Sequence, residues 1–130
     1  RVKNAKLQSK SFIIEEATAL EAQSRHGLPG TLYIATNVFG SLTPQDTEQF
    51  FSQACNTNSH IAFIAAGLPV DLPEESRFLN PIYMNNYFSL AARAGMKVNH
   101  CIYYLNDSAP GMEFSFATYI MTVSPRDCTV

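Results

Sequence analysis

Within "TLYIATNVFGSLTP" (31–44), an apolar run ends at two small polar residues, Thr36 and Asn37, and the chain then breaks at Gly40. Strand ends in α/β proteins are where ligands bind. An asparagine amide placed there can both donate and accept hydrogen bonds, and a threonine is small enough to let a ligand approach. The competing role for Asn37 is a turn residue bonded to its own backbone. Phe39 can wall the same pocket or pack in the core. A second cluster lies in "NPIYMNNYF", where Tyr83, Asn85, Asn86 and Tyr87 bring amides and phenols together. On the early turns of a helix, Tyr83, Asn86 and Tyr87 can line a pocket for a small-molecule acceptor. The alternative puts Tyr87 in the core and the asparagines in solvent.

Other chemistries find no support in the pattern. His26, His60 and His100 are scattered, and Cys55, Cys101 and Cys128 are widely spaced with no CxxC, so no metal site is expected. A disulfide framework is not expected either, which points to a reducing, cytoplasmic setting. Cys55 and Cys101 read as small buried hydrophobes. There is no G-x-S-x-G elbow and no GxxxxGK loop. A net charge of −2 gives no drive toward nucleic acid, and the basic start (Arg1, Lys3, Lys6, Lys10) reads as a solvated helix end. No apolar run is long enough to span a bilayer, and the polar start is not a signal peptide.

The elements that must position these residues are legible from caps and periodicity. With 130 residues the chain is read as one domain. "KSFIIEE" (10–16) reads as a strand, "ATALEAQSRHG" as a short helix closed by Gly27, and 31–39 as a buried strand without alternation. Thr43, Pro44 and Asp46 sign a helix over 43–56. "HIAFIAAG" (60–67) is a third strand. Asn80, Pro81 and Gly95 bound a helix over 80–95 whose apolar residues follow helical spacing. Strands over 96–105 and 112–123, closely connected, should be antiparallel neighbours. The alternation implies an α/β fold: a mostly parallel, doubly wound sheet with helices on both faces and an antiparallel final strand.

That order, with its reversed last strand, resembles the carboxyl-terminal portion of a class I S-adenosylmethionine-dependent methyltransferase, an incomplete Rossmann-like methyltransferase fold. In "FIIEEATALE", Glu16 and Ala17 fall where the family places an acid and a small residue beside the cofactor's adenine. "LYIATNVFGSLTPQDTEQFF" is similar to the family's fourth strand and its loop, which puts Thr36, Asn37, Val38 and Phe39 at the cofactor and acceptor. "HIAFIAAG" is similar to the fifth strand, and "YFSLAARAGMKV" to the approach to the sixth. The resemblance implies S-adenosylmethionine as cofactor, bound by Glu16, Ala17, Thr36 and Asn37, and methyl transfer to a small-molecule acceptor. The family's glycine-rich first loop is absent, as is the acid after its second strand. The expectation is therefore a chain completed by a missing N-terminal segment, which the start at Arg1 rather than methionine favours, or by dimerisation. The alternative is a non-catalytic methyltransferase-like binding or assembly module completed by a partner chain.

Overall fold

The computed structural model describes residues 14–70, 72–79, 81–106 and 116–128. Helix α1 (Ala19–His26) starts at a reciprocal capping box: Thr18 Oγ1 accepts from the Glu21 N–H, and the Glu21 carboxylate accepts from the Thr18 N–H. Strand β1 (Leu32–Thr36) is followed by a 3₁₀ turn at Phe39–Ser41 and by helix α2 (Pro44–Asn56). Thr43 caps α2 by accepting from the Asp46 N–H, with Pro44 in its first turn, as the local sequence signs it. Strand β2 (His60–Gly67) coincides with the expected run. The chain continues through β3 (Ser76–Leu79), β4 (Ile82–Asn85), α3 (Tyr87–Arg93), β5 (Met96–Asn106) and β6 (Phe116–Pro125).

The six strands form one sheet, but it is not the mostly parallel, doubly wound one expected. β2 lies at its centre. β1 pairs with it in parallel from Leu32↔His60 to Thr36↔Ile64, and β4 touches the same edge by a single parallel bridge, Gly67↔Asn85. All other pairing is antiparallel: β6 on β2, β5 on β6, and β3 on β4. The three described helices lie over one face only. There Phe50, Phe51, Leu90 and Ala91 share a core with Phe63, Tyr119 and Met121, and α1 joins through Gln23, whose Nε2 donates to the Phe50 carbonyl.

Three local causes separate this sheet from the expectation. The long β5–β6 hairpin makes antiparallel pairs outnumber parallel ones. "SRFLNPIYMN" forms a hairpin rather than helical turns, with Phe78 directly opposite Tyr83 and their rings 4.7 Å apart. Pro81, which can also open a helix, here lies in a turn before β4, and among the described residues of the expected 80–95 helix only Tyr87–Arg93 is helical. Finally, residues 14–18 are irregular. The expected 10–16 strand is thus not regular over 14–16, and its first part lies outside the described residues, as do Asn80 and 112–115 of the expected last strand.

One position requires glycine. A Cβ on Gly67 would stand 2.7 Å from the Asn85 carbonyl oxygen and within 2.9 Å of the Tyr87 and Tyr119 rings. The chains pack too closely there for any side chain.

Cys55, near the end of α2, forms a disulfide with Cys128 beyond β6, with Cα atoms 5.6 Å apart. The expectation of no disulfide is corrected, as is the reading of Cys101 as a buried hydrophobe: it is free and exposed. Residues distant in sequence become neighbours because α2 and the chain end both pass the turn at Gly95. Among the described residues no helix is long and apolar enough to cross a membrane. Because the bridge closes a loop across a sequence separation of 73, replacing both cysteines by alanine should lower stability by about 2–4 kcal/mol in urea denaturation. An unchanged midpoint would mean that the bridge does not constrain the chain.

Candidate functional site

The strand-tip region is built around a turn that the core holds in place. Phe39 has no exposed surface. Its ring meets Phe50, Phe51 and Phe63 edge-on, with centroids 5.0–5.5 Å apart, the geometry aromatic pairs prefer. Asn85, fully buried, grips the same turn from β4. Its Nδ2 donates to the Phe39 and Leu42 carbonyls, each at 3.2 Å, and reaches Thr47 Oγ1 at 3.5 Å. Its Oδ1 accepts from Ser76 Oγ at 2.7 Å. An apolar plug below and an amide clamp beside it leave residues 37–42 little freedom.

Asn37 enters this turn with φ +58°, the left-handed region asparagine tolerates better than most residues. Its N–H donates to the Ile64 carbonyl at 2.8 Å and so extends the β1–β2 ladder by one bond. No hydrogen bond of its side-chain amide is found among the described residues. The amide borders a hollow of about 310 Å³ lined by Asn37, Gly40, Ser41, Ala66, Pro81 and Ile82. Ala66 comes from the tip of β2, and Pro81 and Ile82 from the β3–β4 hairpin. Among the described residues no titratable side chain is in that lining. The arrangement can orient a small ligand and shield it from water. Those residues offer no general acid or base.

The expected site residues divide into three groups. Asn37 lines the hollow, with Thr36 just before it, exposed at the end of β1. Glu16 and Ala17 are exposed in the irregular stretch before α1 and do not line it. The acceptor residues serve the scaffold. Phe39 is core. Tyr87 is buried, and its hydroxyl donates to the Ala66 carbonyl at 2.8 Å. Burial pushes that phenol far above its usual range, so it remains a donor. Asn86 caps α3 by accepting from the Ser89 N–H, and its Nδ2 donates to the Glu74 carbonyl. Tyr83 sits in β4, half-buried against Phe78.

Ser41, Ala66, Pro81 and Ile82 were not singled out by the sequence. Pro81 and Ile82 carried a misleading signal, since the Asn-Pro pair suggested a helix start. Ala66 and Ser41 carried none. A second hollow, about 290 Å³, lies between α1 and β1 against Tyr33 and Phe50. Gln23 Oε1 and the Tyr33 hydroxyl, both buried beside it, lack hydrogen-bond partners among the described residues.

Asn85→Ala should cost about 2–4 kcal/mol in urea denaturation, because it strands buried carbonyls and a hydroxyl. Asn37→Gly should be neutral or stabilising by up to about 1 kcal/mol, since glycine adopts positive φ without strain. Equal losses at both positions would contradict the clamp described. No protein-family model matches this chain, and no curated protein is found to be similar to it.

Proposed function

We propose that the chain takes part in S-adenosylmethionine-dependent methyl transfer to a small-molecule acceptor, as the portion of such an enzyme that holds the acceptor. The observation that carries the reading is the hollow at the Asn37 tip. It joins the Asn37 amide to the ends of two parallel strands and has no titratable group among the described residues of its lining. Methyl transfer from a sulfonium asks for this kind of site. The leaving group is neutral, so rate comes chiefly from holding nucleophile and methyl in line and excluding water. The last strand adds support: β6 enters antiparallel beside β2, as the resembling family places its last strand beside its fifth.

The cofactor does not fit the described residues by themselves. Among the described residues no carboxylate lines the strand-tip hollow, and Glu16 and Ala17 stand outside it. A pocket for S-adenosylmethionine therefore needs polypeptide beyond them. Asn37 would orient the acceptor through its amide, Phe39 and Asn85 would hold the turn that carries it, and Ile82 and Pro81 would keep water out.

A second reading is favoured by the face of the sheet that carries none of the described helices: a non-catalytic binding or assembly module completed by a partner. Titration calorimetry with S-adenosylhomocysteine separates the two. The first reading expects no heat from residues 1–130, binding by a longer natural form, and an approximately tenfold fall in kcat/KM on Asn37→Gly, the size of one lost hydrogen bond to the acceptor. Failure of the longer form to bind would leave the module reading.

A further inference from the structure

We propose that the groove at the end of the sheet where β2 and β5 begin binds the phosphoryl group of a small molecule with an apolar body. The groove lies at the opposite end of β2 from the strand-tip hollow, so the inference goes beyond both functional readings. Its volume is about 520 Å³. His60 stands on one side of it, on β2. Lys97, Asn99 and His100 stand on the other, on β5, with Thr122 of β6 between them.

Strand register brings these residues together. Lys97 is the partner of Ser124, His100 is the partner of Thr122, and Ala62 meets Thr122 from the other side. Lys97 and His100 are three apart in sequence, and in a regular strand they would face opposite sides. The register shift between Val98 and His100 makes Asn99 an extra residue, so both side chains face the same way. Bulges next to active sites re-aim side chains in the same manner. Two of the polar groups are also held in place. Asn99 Nδ2 donates to Ser124 Oγ at 2.8 Å, and His100 Nδ1 and Thr122 Oγ1 are 3.2 Å apart. The second contact fixes the imidazole through one nitrogen and leaves Nε2 for a ligand. No ion pair of Lys97 and no side-chain hydrogen bond of His60 is found among the described residues.

The donors fix the ligand's chemistry. Among the described residues no carboxylate lines the groove. Residues 1–13 hold Arg1, Lys3, Lys6 and Lys10 and no acidic side chain, so that segment brings none either. An ammonium, two imidazoles, an amide and a hydroxyl offer more donors than the two oxygens of a carboxylate take up. They suit the several oxygens of a phosphoryl group. Pockets of about 300–1,000 Å³ hold whole small molecules rather than bare ions. Leu32, paired with His60 across β1 and β2 and 61% exposed, gives the rest of the ligand an apolar surface.

The test is titration of residues 1–130 with phenyl phosphate, followed by NMR through the ring signals of His60 and His100. Inorganic phosphate, benzoate and benzyl alcohol are the comparison probes, and phosphatidic acid vesicles present a lipid-borne phosphoryl group. Phenyl phosphate should shift both ring signals saturably. It should bind at least about tenfold tighter than benzoate or benzyl alcohol, and tighter than inorganic phosphate. Lys97→Gln and His100→Gln, both on the surface, should each weaken it about tenfold, with circular dichroism spectrum and urea midpoint unchanged. The absence of a saturable shift overturns the proposal, as does equal affinity for phenyl phosphate and any of the three comparison probes. Unchanged affinity in both variants overturns it too. Binding to the vesicles without binding of phenyl phosphate assigns the groove to a membrane surface and overturns it as well.

Discussion

The structure depends on how the turn after β1 is anchored. Phe39 drives its ring into the aromatic core, and Asn85 closes over the turn with its amide. The two act by different physics. Burying the ring removes apolar surface from water and is insensitive to small shifts. The amide is directional, and in a dry interior a misplaced partner leaves a costly unpaired group. Together they bring three parts of the chain to one place: the tip of β1, the tip of β2 through Ala66, and the β3–β4 hairpin. Tyr87 ties the same region from α3 by donating to the Ala66 carbonyl. The hollow at Asn37 is the space these constraints leave open.

The sheet is asymmetric in a way that bears on assembly. One face holds every described helix and a continuous aromatic core; the other presents isoleucines in register. A two-layer arrangement can be stable when the bare face is polar, as in many antiparallel sheets. Here that face alternates toward isoleucine, alanine and threonine, with Lys97, His60 and His100 toward one end. Among the described residues β1 adds an open edge. Its odd-numbered residues direct their backbone groups to β2, as Thr31 and Asn37 do, which turns those of Leu32, Ile34 and Thr36 outward. Open edges and bare apolar faces are features that proteins usually cover.

The resemblance to methyltransferases rests on order and on local likeness, and the absence of a matching family model gives it no added weight. Its parts fared differently. The segment 31–56 forms the expected strand, turn and capped helix. The segment 76–86 does not behave as a helix start, and this changes the meaning of the acceptor residues inferred from it. A helix would have aimed Tyr83, Asn86 and Tyr87 along one face. A strand, a cap and a short helix point them three ways. Tyr87 goes into the core, Asn86 to the backbone of α3, and Tyr83 against Phe78.

Local chemistry was enough to determine α1 and α2, β2 and the two last strands, because caps, proline at a first helical turn and apolar runs act over a few residues. It also marked Asn37 as a strand-tip residue, since an apolar run that stops at Asn and Gly has few other meanings. What local chemistry did not carry was decided by contacts between distant segments. The direction of pairing depends on which strand lies beside β2, and β6 takes the place there that a parallel strand would need. The Cys55–Cys128 bridge depends on two chain segments meeting near Gly95. Asn85 gained its role from carbonyls more than forty residues away. Each of these is a long-range pairing whose cost is chain entropy, and no nearby residue records whether the folded chain offsets it.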